Sequence, residues 1–204
     1  MGCRQAKPQH TENDKTVKTD NCETEFTTAV ATDPRLPLDQ RQVFRLKQSW
    51  KGIKRNMEQT GVEMFIRLFK TNAELKALFT SFKFLEAEDD LRENEALEHH
   101  ATLVMTTLDD AFSRIDNYSY VTEVLLKTGE SHRRFRGFRS EIFWTMRSPF
   151  LEAVKITLGD RYTENMETIY KIAITFILQA LTDGFTEEHK DSNSVPPVLV
   201  ESEP

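Results

Sequence analysis

Between Asn94 and Phe112 the apolar residues fall at Leu97, Ala101, Val104, Met105, Leu108, Ala111 and Phe112. That i, i+3/i+4, i+7 rhythm, held for about four turns, is the pattern of an α-helix with one buried face. It does not fit the period-2 alternation of a strand. On the same helical wheel His100 lies at the edge of the apolar face, one turn before Val104. His99 is rotated by about 100° and points to solvent. The inward imidazole needs something to face, because a buried polar group without a partner is costly.

The same period recurs on both sides. Val43, Leu46, Trp50, Ile53 and Met57 predict a first helix, and Gly61 precedes a second with Val62, Phe65, Ile66 and Phe69 inward. Thr71 and Asn72 are suited to cap a short third helix ending at Leu78 and Phe79. The charged stretch 83–95 predicts a loop with a short helical turn, and 114–119 a second loop. Val121, Val124, Leu125, Thr128 and His132 then share one face, with Gly129 lowering intrinsic helix stability by about 1 kcal/mol. In the next pattern, Ile142 to Val154, Pro149 predicts a kink because it cannot donate the helical hydrogen bond. The last helix carries Ile169, Tyr170, Ala173, Phe176, Ile177, Ala180 and Leu181, with an expected stop near Gly184. With only 7 Gly and 7 Pro in 204 residues and no β alternation, the expected fold class is all-α, one domain over 38–185. Polar composition marks 1–37 as a flexible extension and 186–204 as a disordered tail.

Charge narrows the partners. A net charge of −6 argues against general nucleic-acid affinity. The longest apolar run, Ile172 to Leu181, is interrupted by Thr175 and Gln179 and is too short to span a bilayer. Both cysteines, Cys3 and Cys22, precede the domain, so no disulfide is expected in its core and a reducing, intracellular setting is favoured.

His100 and His132 sit on two different amphipathic helices joined by one loop. Two facing helices can present imidazoles to opposite sides of a planar cofactor such as haem, whose iron takes axial histidine. The 14 phenylalanines suit a cleft for a flat ring, with Phe65, Phe79, Val104, Phe138, Phe143 and Met146 as candidate walls. Two satisfied core histidines in an ordinary helical interaction module would show the same spacing. A zinc site fits less well, since no third or fourth His or Cys stands at ligand spacing.

The order QSW at 48–50, GVEMFIRLF at 61–69, ALF at 77–79, HATLVMTTLDDAF at 100–112, ESHR at 130–133 and a final IYKIAITFILQAL resembles the globin family. The resemblance covers about 38–185 and is nearest the neuroglobin-like branch. With the Met-Gly-Cys start, it extends to globin X and membrane-bound nerve globins of invertebrates. It implies a globin fold around haem b, with His132 as the proximal iron ligand and His100 as the distal one. Phe79 matches the phenylalanine packed on the haem, Phe65 the distal aromatic and Val104 the distal apolar wall, with Phe138, Phe143 and Met146 carried over beside them. It further implies a six-coordinate bis-histidine resting state and reversible binding of O₂, CO or NO. Asn72 stands where the family often has proline, and Leu103 where the neuroglobin-like branch has a propionate-binding lysine. Propionate pairing is therefore open: Arg133, Arg134 and Arg136 are substitutes by charge, and solvated surface is the other reading of each.

At the other end, Gly2 offers a site for myristoylation and Cys3 one for palmitoylation, although Ala6 stands where the motif prefers Ser or Thr. Two acyl chains hold a protein stably on a membrane where one does not. The expected function is thus an oxygen-binding haem protein on the cytosolic face of a membrane, in transport, redox protection or sensing, served by an unidentified reductant. A haem redox enzyme acting on NO, nitrite or peroxide, and a haem-free helical module, are the alternatives.

Overall fold

A computed structural model describes residues 33–187, and Gly2, Cys3 and most of both terminal extensions lie outside them. Eight α-helices and three short 3-10 turns follow in order, with no strand among the described residues. The α-helices are α1 (Gln40–Lys54), α2 (Met57–Thr71), α3 (Glu88–Arg92), α4 (Glu95–Ser113), α5 (Tyr118–Ser131), α6 (Glu141–Thr145), α7 (Arg147–Leu158) and α8 (Glu164–Thr186). None of them is long and apolar enough to cross a membrane.

The helix starts follow side-chain chemistry. Asp39 and Gln42 form a reciprocal capping box at α1. The Asn94 carboxamide oxygen accepts from the backbone N–H of Ala96 and Leu97, both at 3.1 Å, which sets where α4 begins and so which face His100 takes. Asn117 caps α5 and Thr163 caps α8 in the same way.

Packing explains where the helix boundaries depart from the periodic pattern. Met57 belongs to α2, because α1 ends at Lys54. Gly61 lies inside α2, where a Cβ would stand 2.8 Å from the Met105 side chain, so a small residue lets α2 cross α4 closely. Asn72 makes no side-chain cap, and Ala73–Leu78 is a 3-10 helix instead of an α-helix. The break expected at Pro149 falls upstream at Met146, which places the proline in the first turn of α7 where no N–H is required. Gly184 does not end α8, which runs on to Thr186. Packing also starts slightly before residue 38, with Leu36 and Leu38 both buried.

α5 against α8 is the most extensive helix pair, followed by α2 against α4 and α7. A dense aromatic group fills part of the interior: Trp50 and Phe112 rings are 4.4 Å apart and Phe150 and Tyr170 complete the cluster. Its polar tips are satisfied, Trp50 Nε1 donating to Asp109 at 2.9 Å and the Tyr170 hydroxyl meeting Ser49 Oγ at 3.0 Å. Beside His100 and His132 the interior is left hollow.

Candidate functional site

A cavity of about 310 Å³ opens between α2, the 3-10 helix, α4, α5 and the segments leading to α8. Phe65, Phe79, His100, Val104, His132, Phe138, Phe143 and Met146 all line it. The rest of its wall is largely aliphatic, including Ile174, Ile177, Leu178 and Leu181 from α8, of which the periodic pattern marks Ile177 and Leu181 but not Ile174 and Leu178. Among the described residues no Asp, Glu or Lys lines it.

The two histidines enter the cavity from different elements. His100 comes from α4 with its ring edge-on to Phe65 and Phe79, at centroid distances of 5.1 and 5.0 Å. His99 is exposed, as the wheel requires. His132 follows the last residue of α5 and begins the 3-10 turn His132–Arg134, so it lies just past the helix whose face it was expected to share. Phe138 and Phe143 flank its ring at 4.9 and 5.0 Å.

Their anchoring differs. His132 Nδ1 lies 2.8 Å from the Thr128 carbonyl oxygen, which can only accept, so Nδ1 carries the proton. Nε2 is then the bare nitrogen. Thr128 stands four residues before His132, and that spacing is the signal by which its role could have been read. His100 has no hydrogen bond among the described residues and is held by ring packing.

Burial pushes the His100 pKa down to about 4, and the nearby His132 and His99 imidazoles add to the shift. Burial also lowers His132, against the hydrogen bond that Nδ1 donates to the Thr128 carbonyl and with a contribution from the Arg134 charge. At neutral pH both rings are uncharged and each has a nitrogen lone pair to offer. Two imidazoles alone do not complete a protein-only metal centre, and no cluster of three or more ligating side chains occurs among the described residues. They suit a metal already held in four positions by a flat, apolar macrocycle.

The three arginines have different surroundings. Arg133 donates to the Phe185 and Gly184 carbonyls at the end of α8, at 2.6 and 3.2 Å, and Arg136 does not line the cavity. Arg134 does line it.

An all-α chain that suspends two histidines in an aromatic cavity is built as a globin. The chain belongs to the globin family, whose model, described as Globin, matches residues 62–181. It is neuroglobin-like: neuroglobin from Danio rerio is 27% identical over 158 residues, 76% of this chain and 98% of that protein. Cytoglobin-1 from Oryzias latipes is 27% identical over 145 residues, 71% of this chain and 80% of its own length. A crystal structure described as a hexacoordinated heme protein from an anhydrobiotic tardigrade, at pH 4, superposes with a TM-score of 0.74 at 38% identity. That alignment covers 76% of this chain and 100% of the tardigrade protein. Globins hold haem, and the apolar walls, the tautomer fixed at His132 and the second imidazole, His100, in the same cavity all fit that group.

Proposed function

We propose that this chain is a six-coordinate haem protein in which His132 holds the iron from the α5 side and His100 occupies the opposite position at rest. The observation that carries the reading is the pair of imidazoles lining one apolar cavity, one tied to Thr128 and the other held by ring packing. Haem, iron protoporphyrin IX, supplies a reducible centre with affinity for O₂, CO and NO. His100 acts as an internal competitor for that position. Phe65 and Phe79 guide its ring, and Val104 and Leu108 bound the space available once it withdraws. The competitor lowers apparent gas affinity by the fraction of molecules in which His100 is withdrawn.

The test is the absorption spectrum of haem-loaded wild type beside His100→Leu. Wild-type ferrous protein should be low-spin and six-coordinate, and His100→Leu five-coordinate. If one wild-type molecule in about a hundred is open, the variant should bind CO about a hundredfold faster. Five-coordinate spectra from both proteins would overturn the bis-histidine reading, and a wild type with no Soret band would overturn the haem reading altogether.

An internal ligand makes a poor bulk oxygen store, which favours redox protection, electron transfer or sensing at this haem. The Met1-Gly2-Cys3 motif supports a further element of the proposal, acylation that places the domain at a cytosolic membrane surface. Gly2→Ala should then move the protein from membrane to soluble fractions on cell fractionation, and an unchanged distribution would count against the anchor.

A further inference from the structure

Haem b carries two carboxylates, and a cavity that takes it needs a place for them. Among the described residues the wall holds no lysine, and its one arginine is Arg134. The side chain is exposed, which puts it at the mouth, and its guanidinium carbon lies 4.9 Å from the Phe135 ring centroid. Among the described residues no carboxylate lines the cavity beside it. On α4 the rim is apolar, since Leu103 lines the opening with 53% of its surface exposed. Arg133 is committed to the end of α8. Among the described residues that line the cavity, the cation at the opening is thus supplied by the 3-10 turn that also starts with His132.

We propose that Arg134 is the propionate-binding residue of this site, its planar guanidinium pairing with a haem carboxylate at the cavity mouth. The inference rests on the haem reading above. A guanidinium suits the role because it presents two parallel N–H donors to one carboxylate, and stacking on Phe135 limits the freedom lost when it does so. Arg134 is therefore a positioning residue: it fixes how the ring sits between His100 and His132 without touching the iron. The pair is partly solvated, so its contribution is that of a good surface ion pair, not a buried one.

The test compares the full-length wild type with Arg134→Leu and Arg134→Lys, each loaded either with haem b or with its dimethyl ester, which has no carboxylate charge. Haem loss is followed as transfer to an excess of a haem-scavenging apoprotein. Arg134→Leu should lose haem b about fivefold faster than wild type, the change expected from an exposed charge-assisted pair. Arg134→Lys should fall between the two, because it restores the charge without the two-pronged geometry. With the ester all three rates should coincide. Equal rates for wild type and Arg134→Leu with haem b would overturn the assignment. So would an Arg134→Leu effect of the same size with the ester, which would show that the arginine acts through the fold. Failure of the haem reading looks different, since no Soret band would then form in the wild type with either compound.

Discussion

His132 and His100 have similar surroundings and opposite degrees of restraint. Phenylalanine edges pack on both, but only His132 has a hydrogen bond that fixes its tautomer and its angle. The difference matches the roles proposed for them, one ring that must stay and one that must leave. It also makes a pH prediction for the haem-free protein. The folded pKa of His100 is depressed to about 4 from an ordinary 6.5, so the unfolded chain takes up the proton more readily. Native stability from this group is complete above about pH 6.5 and is lost as pH falls toward 4. Its full size approaches about 3 kcal/mol. Denaturant titrations of apo wild type and apo His100→Leu at pH 7 and pH 4.5 should therefore show the wild type losing more stability between the two. Equal losses would mean that His100 is not buried uncharged. The periodic sequence could place both rings inward and His99 outward. The partner of His132 is a backbone carbonyl at Thr128, and a carbonyl is present at every position, so residue types alone do not single it out.

At the scale of elements, the α5–α8 pair decides where His132 is carried. Gly129 on α5 sits against the Leu181 backbone of α8, and Gly184 on α8 against the Leu126 backbone of α5. A Cβ at either position would overlap a main-chain carbonyl group of the other helix. Read along one strand of sequence, Gly129 looked like a weak point and Gly184 like a stop. Across the interface they are two halves of one close crossing. Gly184→Ala therefore sets two effects against each other: a gain of about 1 kcal/mol in helix propensity and an overpacking cost of about 3 kcal/mol that no rotamer change relieves. The net loss should be about 2 kcal/mol in thermal or denaturant unfolding, with faster haem loss because α5 is displaced. A neutral or stabilising result would show that the helices part without consequence. The Pro149 region makes the same point more mildly, for the break at Met146 depends on how α6 and α7 each pack and not on the proline alone.

Taken whole, the molecule is packed densely around Trp50, Phe112 and Tyr170 and left hollow beside His100 and His132, with Phe150 belonging to both regions. A cavity of about 310 Å³ walled mainly by apolar side chains forgoes contacts that a filled core would make. A bound cofactor restores them, and it stabilises the native state by mass action as well. Holo protein should accordingly melt well above apo protein. At cofactor concentrations about 1,000-fold over Kd the gain is about 4 kcal/mol, or about 10 °C for a domain of this size. Scanning calorimetry of the two forms checks this, and coincident transitions would mean that the hollow is not where the cofactor binds.

Helical periodicity with sparse Gly and Pro was enough by itself to determine an all-α chain and the inward direction of both histidines, and the structure adds local caps at Asp39, Asn94, Asn117 and Thr163. Those properties are local, set within a few turns by side-chain spacing and by orphan N–H groups. Tertiary structure alone decided that the two rings share one cavity, that α5 and α8 approach backbone to backbone at Gly129 and Gly184, and which of three arginines stands at the mouth. Each of these depends on the separation of surfaces far apart in the chain, and close packing resolves such separations only when all the helices are in place.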